Sequence, residues 1–153
     1  MIRLDKLRRV SSQKSVGEAF RDLRVRSADS VFPFLLVVEK NKNREEILGT
    51  LSLSNIMAAI DLSIDFQEQL PIFWRGQFLE ECGAVLKRGV FEVMSPIEHA
   101  VHESGTLMEA LHLMISKESQ VLAVLNGKDL VGMLIRQNLM EEIHRVVKHR
   151  PSG

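Results

Sequence analysis

The sequence has few of the residues that mark several common classes of protein. It has one cysteine in 153 residues, which excludes an intramolecular disulfide and indicates a reducing compartment. Nine glycines and four prolines are too few for a collagen-like chain. The longest apolar run, residues 31–38, is interrupted by Pro33 and is far shorter than the ~20 residues that span a bilayer. Residues 1–9 lack the apolar core of a secretory signal, so we expect a soluble, cytoplasmic protein.

An excess of charge of either sign is also missing. Twenty basic residues balance twenty acidic residues, so nothing in the net charge attracts nucleic acid or an anionic membrane. Hydrophobic residues make up 45% of the chain and charged residues 26%, which is typical of a globular protein. The length predicts one domain, or two small units that share a core.

The sequence does contain an internal repeat. Residues 15–20 (S-V-G-E-A-F) match residues 106–111 (T-L-M-E-A-L). Each segment starts with a hydroxyl residue and has a glutamate three positions later, which is the capping box of a helix N-terminus. Apolar residues at helical spacing follow in both segments. The pattern therefore predicts two equivalent helices.

A second pair of segments repeats after these helices. Residues 47–57 align with residues 130–140, so that Gly49 matches Gly132 and Asn55 matches Asn138. The apolar runs at residues 34–38 and 121–125 precede them, as expected for strands that are buried on both faces. Each copy is therefore predicted to contain a helix, a strand, a turn, a strand and a helix.

The segments between these elements carry further predictions. Residues 126–129 predict a compact hairpin turn, whereas residues 39–46 predict a longer, charged loop. Residues 61–89 separate the two copies and are predicted to form two helical stretches, because Pro71 breaks an amphipathic pattern there.

The ordered set of motifs resembles a tandem pair of CBS domains, named after cystathionine β-synthase, which is also called a Bateman module. The resemblance rests on residues 90–96 (V-F-E-V-M-S-P), 106–114 (T-L-M-E-A-L-H-L-M) and 127–134 (G-K-D-L-V-G-M-L). It covers residues 90–146 well and residues 9–60 more weakly. It implies an α+β, sandwich-like fold of two CBS repeats, each a small β-sheet packed with helices, related by pseudo-two-fold symmetry. The implied boundaries are repeat 1 at 1–60, a helical linker at 61–89, repeat 2 at 90–147 and a basic tail at 148–153.

The resemblance also implies a function. CBS pairs typically bind adenosine compounds in the cleft between repeats, so we expect a regulatory module that takes AMP, ADP, ATP or S-adenosylmethionine as a regulatory ligand and requires no cofactor. It would act in trans on an unidentified effector protein, and CBS pairs commonly form homodimers. We expect no enzymatic activity, since the sequence has no Gly-rich phosphate loop, nucleophile motif or metal-ligand spacing.

The family's ribose-phosphate signature, G-h-h-S/T-x-x-D, places the ligand residues. In the first repeat Ser52 keeps the hydroxyl and Asn55 replaces the aspartate, while in the second repeat Ile135 replaces the hydroxyl and Asn138 the aspartate. Replacing a charge-assisted hydrogen bond by a neutral one loses about 1 kcal/mol. We therefore expect any working site in the first repeat.

Other side chains are assigned to the ligand by the same resemblance. Leu36 and Val38 would lie against the adenine, and Ser11 and Ser12 would bond its edge. Arg136, Arg8 or Arg9 would reach a phosphate.

Alternatives stay open for these residues and for others. Asn55 and Asn138 could simply cap helices, which asparagine does well. The chain could then be a ligand-free CBS module for dimerisation or protein interaction, with decayed pockets. Further candidates are assigned to structural roles in preference to functional ones: a metal site at His99 and His102, a reactive Cys82, a basic docking segment at Arg3, Lys6, Arg8 and Arg9, and a partner surface at Phe73, Trp74 and Phe78.

Overall fold

The computed structural model describes residues 1–24, 34–64 and 75–150. The strands are β1 (Ile2–Arg3), β2 (Arg9–Ser11), β3 (Phe34–Asn41), β4 (Arg44–Ser52), β5 (Ser95–Pro96), β6 (Ala100–His102), β7 (Val121–Asn126) and β8 (Asp129–Ile135). The helices are α1 (Val16–Arg24), α2 (Leu53–Ser63), α3 (Arg75–Lys87), α4 (Val90–Val93), α5 (Leu107–Ser116) and α6 (Arg136–Lys148), with a 3₁₀ turn at Leu4–Lys6. The predicted α+β class is confirmed.

The chain forms two compact units. The central unit is Arg8–Pro96, and the terminal unit combines Met1–Leu7 with the residues from Ile97 onward. Each unit contains one four-stranded sheet, in the order β2-β3-β4-β5 in the central unit and β1-β8-β7-β6 in the terminal unit. In each sheet one pair of strands is parallel, β2 with β3 and β6 with β7, and the other pairs are antiparallel.

The two predicted helix starts are confirmed by their hydrogen bonds. The Ser15 hydroxyl accepts a bond from the backbone N–H of Glu18 at 3.2 Å. The Thr106 hydroxyl accepts the equivalent bond from the N–H of Glu109 at 3.1 Å. These bonds satisfy N–H groups that have no partner inside the helix.

A hairpin is present in each repeat, as predicted, but one of the two predicted loops is wrong. The expectation of a long loop over residues 39–46 is wrong, because β3 and β4 continue to a two-residue turn at Lys42 and Asn43. Both turn residues have positive φ, 47° and 69°, which matches the right-handed twist of the flanking strands. Charged side chains along these strands are exposed, so their polarity hid the strand pattern.

A glycine recurs in each hairpin because a short strand lies against it. Gly49 pairs with Pro96 of β5, and a Cβ atom built on Gly49 would lie 2.2 Å from the carbonyl oxygen of Ser95. Gly132 pairs with Arg3 of β1, and its Cβ would lie 2.6 Å from the carbonyl oxygen of Ile2. Both distances are far below van der Waals contact, so each position requires glycine.

The compact units do not follow the order of the repeats along the chain. Residues 90–96, which open the second repeat, belong to the central unit, and residues 1–7 belong to the terminal unit. The cause is strand pairing, since β5 completes the central sheet and β1 completes the terminal sheet. The boundaries expected at 1–60, 61–89, 90–147 and 148–153 stay a prediction about the sequence repeats.

Candidate ligand site

Ser52 and Asn55 form a capping box at the N-terminus of α2. The Ser52 hydroxyl accepts the backbone N–H of Asn55 at 3.2 Å, and the side-chain carbonyl of Asn55 accepts the backbone N–H of Ser52 at 2.9 Å. The Ser52 hydroxyl also donates to the same Asn55 oxygen at 3.0 Å. The contacts expected of a helix cap are therefore present. Ligand binding by Ser52 and Asn55 stays a prediction.

The Asn55 amide nitrogen also has a partner. It donates to the Ser95 hydroxyl at 2.7 Å, which ties α2 to β5. An asparagine amide carries two N–H donors, and this contact uses one of them. Asn55 is only half-buried, so its second N–H can serve a ligand, whereas its oxygen already accepts two bonds from Ser52.

Ser11 and Ser12 lie at the end of β2, beside Val38 in the middle of β3. Ser11 pairs with Val38 in the parallel ladder, and the backbone N–H of Ser12 donates to the Val38 carbonyl at 3.0 Å. Ser12 is 3% exposed, and the Ser11 hydroxyl accepts the N–H of Gln13 at 3.2 Å. Leu36 and Val38 are 0% and 5% exposed, so a ligand could reach these two side chains only if covering groups moved.

The register of β3 separates the two groups of predicted residues within the central unit. Ser11 lies opposite Val38, whereas Ser52 lies opposite Phe34. Val38 is four positions beyond Phe34 on β3, which is about 13 Å at the rise of a β-strand. One group therefore lies beside the first residue of β3 and the other beside its middle.

The two basic candidates in the central unit already have protein partners. Arg8 donates from its guanidinium to the carbonyl oxygen of Asp22 at 2.5 Å. Arg9 forms an ion pair with Glu45. A phosphate would have to compete with these contacts.

Arg136 and Asn138 lie in the first turn of α6, in the terminal unit. Arg136 donates to the carbonyl oxygen of Ser119 at 3.2 Å. Ile135 occupies the N-cap position and offers no side-chain bond to the helix. The side-chain oxygen of Asn138 is buried and has no hydrogen-bond partner among the residues described. Because Ile135 stands where the first repeat has Ser52, Asn138 lacks the hydroxyl partner that Ser52 provides to Asn55.

A cavity of about 600 Å³ opens beside Asn138, in the terminal unit. Its walls come from β6, β7, β8, α5 and α6, and Met1 also lines it. We call it the α5–α6 groove, and its apolar lining residues are Val101, Leu107, Ala110, Val124 and Leu134. Sequence analysis missed this feature. The sequence did contain a difference between the repeats at this place. Three positions after Asn55 that are apolar in the first repeat are charged after Asn138 in the second: Ala58, Ala59 and Leu62 are replaced by Glu141, Glu142 and Arg145.

Charged side chains border the α5–α6 groove. Glu142 and Arg145 form a hydrogen-bonded ion pair, one arm of which is Arg145 Nε to Glu142 Oε2 at 3.1 Å. The hydrogen bond from Arg145 lowers the pKa of Glu142, and the same bond raises the pKa of Arg145. Both groups are therefore charged at neutral pH.

The structure gives the surroundings of the remaining candidates that lie within the described residues, and their roles stay predictions. In the part of the chain that the structure describes, no three His, Cys, Asp or Glu side chains could share a metal ion. His102 instead bonds the Ser104 hydroxyl at 2.7 Å through Nδ1. Cys82 is half-buried in α3, and Phe78 is 41% exposed there. Phe73 and Trp74 lie outside the described residues.

Within these described ranges, no helix has the length and apolar character needed to cross a membrane.

Comparison with known proteins identifies the fold. The family model of the CBS domain matches residues 90–145. No curated protein sequence matches the chain. The crystal structure of CBSX2 in complex with AMP, a CBS-pair protein of Arabidopsis thaliana, is 20% identical with a TM-score of 0.64, and the match covers 96% of this chain and 94% of that one.

Two further structures extend the comparison. The CBS-domain protein ATU1752 of Agrobacterium tumefaciens is 16% identical, with a TM-score of 0.64 over 88% of this chain and 82% of that chain. The cytosolic domain of the Mg²⁺ channel MgtE in complex with ATP is 21% identical, with a TM-score of 0.58 over 92% of this chain and 46% of that chain. Residues 90–145 thus resemble the CBS domain, and the chain as a whole shares the fold of the CBS-pair structure CBSX2.

Proposed function

We propose that this protein is a regulatory module that binds an adenosine nucleotide and acts in trans on another protein. The observation that carries the proposal is the N-terminus of α2, where Ser52 keeps the hydroxyl of the family signature and Asn55 keeps a free amide N–H. A helix N-terminus attracts a phosphate, and the free N–H can donate to a ribose hydroxyl. That structures of this fold have been determined with AMP and with ATP supports the choice of ligand.

The ligand would regulate by shifting a population of conformations. A nucleotide can change the surface offered to a partner only if it binds one conformation more tightly than another. The same coupling free energy makes the partner change the affinity for the nucleotide. A candidate partner is therefore tested by whether it alters nucleotide affinity.

Thermal unfolding against a nucleotide panel tests the proposal. With AMP, ADP, ATP or S-adenosylmethionine at about 1 mM, we expect one ligand to raise the unfolding midpoint by several degrees. A ligand at 100 times its dissociation constant adds about 2.7 kcal/mol. For a chain of this size that free energy corresponds to about 5–10 °C.

Two serine variants locate the site. Ser52→Ala loses the cap, so it starts from a lower midpoint, and we expect it to lose the ligand-induced shift as well. Ser54→Ala changes a neighbouring exposed hydroxyl on the same helix and should keep the shift. A shift that survives in Ser52→Ala would move the site away from α2. No shift with any panel member would contradict nucleotide binding.

A second candidate function, a homodimeric protein-interaction module, is favoured by a different observation. Met108, Leu111 and Ile115 of α5 are 75%, 41% and 65% exposed and are spaced three and four residues apart. Met140 of α6 is 56% exposed. Residues at this spacing share one helix face, and a contiguous exposed apolar surface marks an interaction site.

Sedimentation velocity tests this second function. We expect the protein at about 50 μM to be a dimer and the double variant Met108→Glu, Ile115→Glu to be a monomer, because two buried carboxylates would oppose association. Ser116→Glu, exposed on the same helix but outside the face that Met108, Leu111 and Ile115 share, is the matched control and should stay dimeric. A wild-type monomer, or a dimeric double variant, would remove α5 from the interface.

A further inference from the structure

The hairpin of β3 and β4 extends beyond the sheet of the central unit. β2 pairs with β3 only as far as Val38, and β5 pairs with β4 only at Gly49 and Thr50. Among the residues that the structure describes, residues 39–46 therefore pair only with each other. Beyond its bulge this hairpin has four facing pairs, whereas the equivalent hairpin of β7 and β8 has two. The first repeat thus carries a longer arm than the second.

The end of this arm is basic. We call residues 40–44 (K-N-K-N-R) the basic tip, because they contain three cations and no acidic residue. All five residues are exposed. The turn of the other hairpin, residues 126–129, carries one lysine and one aspartate and is neutral. Since like charges repel, the cluster in the basic tip does not itself stabilise the hairpin.

The cations of the basic tip form no ion pair within the described ranges. Glu45 faces Lys40 in the ladder, but its carboxylate forms an ion pair with Arg9 instead. Arg44 faces Asn41, which carries no charge. The positive charge of the basic tip is therefore available to a partner.

Lys42 occupies a backbone conformation that favours glycine. Its φ is 47°, in the left-handed region, where a Cβ atom clashes with the backbone. The first turn residue of the other hairpin is Gly127, which adopts φ 64° without that clash. A lysine where glycine would be less strained indicates that its side chain has a use apart from the turn.

Two glutamates limit what the basic tip can bind. Glu39 faces Glu46 in the ladder, one pair below Lys40, and facing like charges repel. They would also repel a long anion lying along the hairpin. Three cations are few for nucleic acid, where about 6–10 phosphate contacts are usual, and the zero net charge of the chain adds no long-range attraction. The basic tip therefore fits a short acidic segment better than a polyanion.

We propose that the basic tip docks on a short acidic segment of a partner protein, whose carboxylates pair with Lys40, Lys42 and Arg44. Basic residues on either side of that segment would meet the two glutamates below the tip. Exposed ion pairs of this kind give selectivity and fast association more than affinity, and salt weakens them. The proposal stands apart from nucleotide binding, which is tested at Ser52.

A peptide titration of the full chain, followed by NMR of the backbone amides, tests the proposal. The probe is the acetylated and amidated peptide K-E-D-E-D-E-K, whose acidic centre matches the basic tip and whose ends match the two glutamates. In about 20 mM salt, where screening is weak, we expect saturable shifts confined to residues 39–46. The uncharged-centre peptide K-Q-N-Q-N-Q-K should produce no shifts.

Two triple variants of the same net charge locate the contact. The first reverses the tip, with Lys40→Glu, Lys42→Glu and Arg44→Glu, and should weaken peptide binding at least ~10-fold because three exposed pairs are lost. The second reverses three exposed lysines outside the hairpin: Lys6→Glu, Lys14→Glu and Lys128→Glu. It should weaken binding less than ~3-fold, since salt screens distant charges. If the first variant loses the hairpin signals, glutamine replaces the same three cations, with the same expectation.

A single variant separates the charge of Lys42 from its place in the turn. Glycine suits the φ of 47°, so we expect Lys42→Gly to unfold at a temperature no lower than the wild type. The loss of one of three cations should weaken peptide binding about 2–5-fold.

Four outcomes would overturn the proposal. They are the absence of saturable shifts up to about 5 mM peptide, equal binding by the two triple variants, wild-type binding by Lys42→Gly, and tighter binding of a short DNA duplex that only the tip variant abolishes. In the last case the occupant of the basic tip would be a nucleic acid.

Discussion

Gly49→Ala is expected to destabilise the protein by about 2–3 kcal/mol, the upper part of the range for overpacking. The added methyl would lie 2.2 Å from the carbonyl oxygen of Ser95 and 3.1 Å from the Cα of Pro96, both of which are backbone atoms. A backbone cannot rotate out of the way as a side chain can. The variant must therefore give up the pairing of β5 with β4, and with it the bond from Asn55 to Ser95.

Urea unfolding followed by circular dichroism measures this loss. Gly83→Ala is the control, because a Cβ there meets nothing within 4 Å and the residue lies inside α3. Alanine is favoured over glycine in a helix by about 1 kcal/mol, so the control should be slightly more stable than the wild type. A Gly49→Ala variant as stable as the wild type would show that β5 does not need this close approach.

Leu51→Ala and Leu134→Ala are expected to differ although they occupy equivalent positions. Leu51 is 0% exposed beneath Val90 and Val93, so its truncation leaves a cavity and should cost about 3–4 kcal/mol. Leu134 is half-buried at the open groove, where water can replace the lost methyl groups. We expect a cost of about 1–2 kcal/mol there, since only part of the side chain leaves water on folding.

The same urea experiment compares this pair of variants, with the slope of the transition checked for a change in denatured-state compactness. Each variant is the control for the other, because the substitution and the strand position are identical. Equal losses would mean that the groove is as well covered as the central site.

Much of the fold could be predicted because it depends on local patterns that occur twice. The capping residues Ser15 and Thr106 and the apolar runs of β3 and β7 carry direct signals of helix starts and buried strands. The long loop expected at residues 39–46 failed for a local reason too. Exposed charged residues on a projecting hairpin lack the alternation that a half-buried strand shows.

The candidate site was less predictable because its contacts join distant parts of the chain. The signature identified Ser52 and Asn55, but the third member, Ser95, is forty residues away and is reached only through the pairing of β5 with β4. The groove beside Asn138 likewise joins Val101 and Val124 to Asn138, residues that lie far apart in the sequence. Packing of one segment on another fixes both features.

The pairing of β1 with β8 has a consequence for synthesis on the ribosome. Ile2 and Arg3 are synthesised about 130 residues before their partners Met133 and Gly132. At about 5–20 residues per second these N-terminal residues wait roughly 6–25 s for their strand. The central unit, complete at Pro96, can form during that interval, so nascent chains should resist protease over residues 34–64 before residues 1–7 become protected.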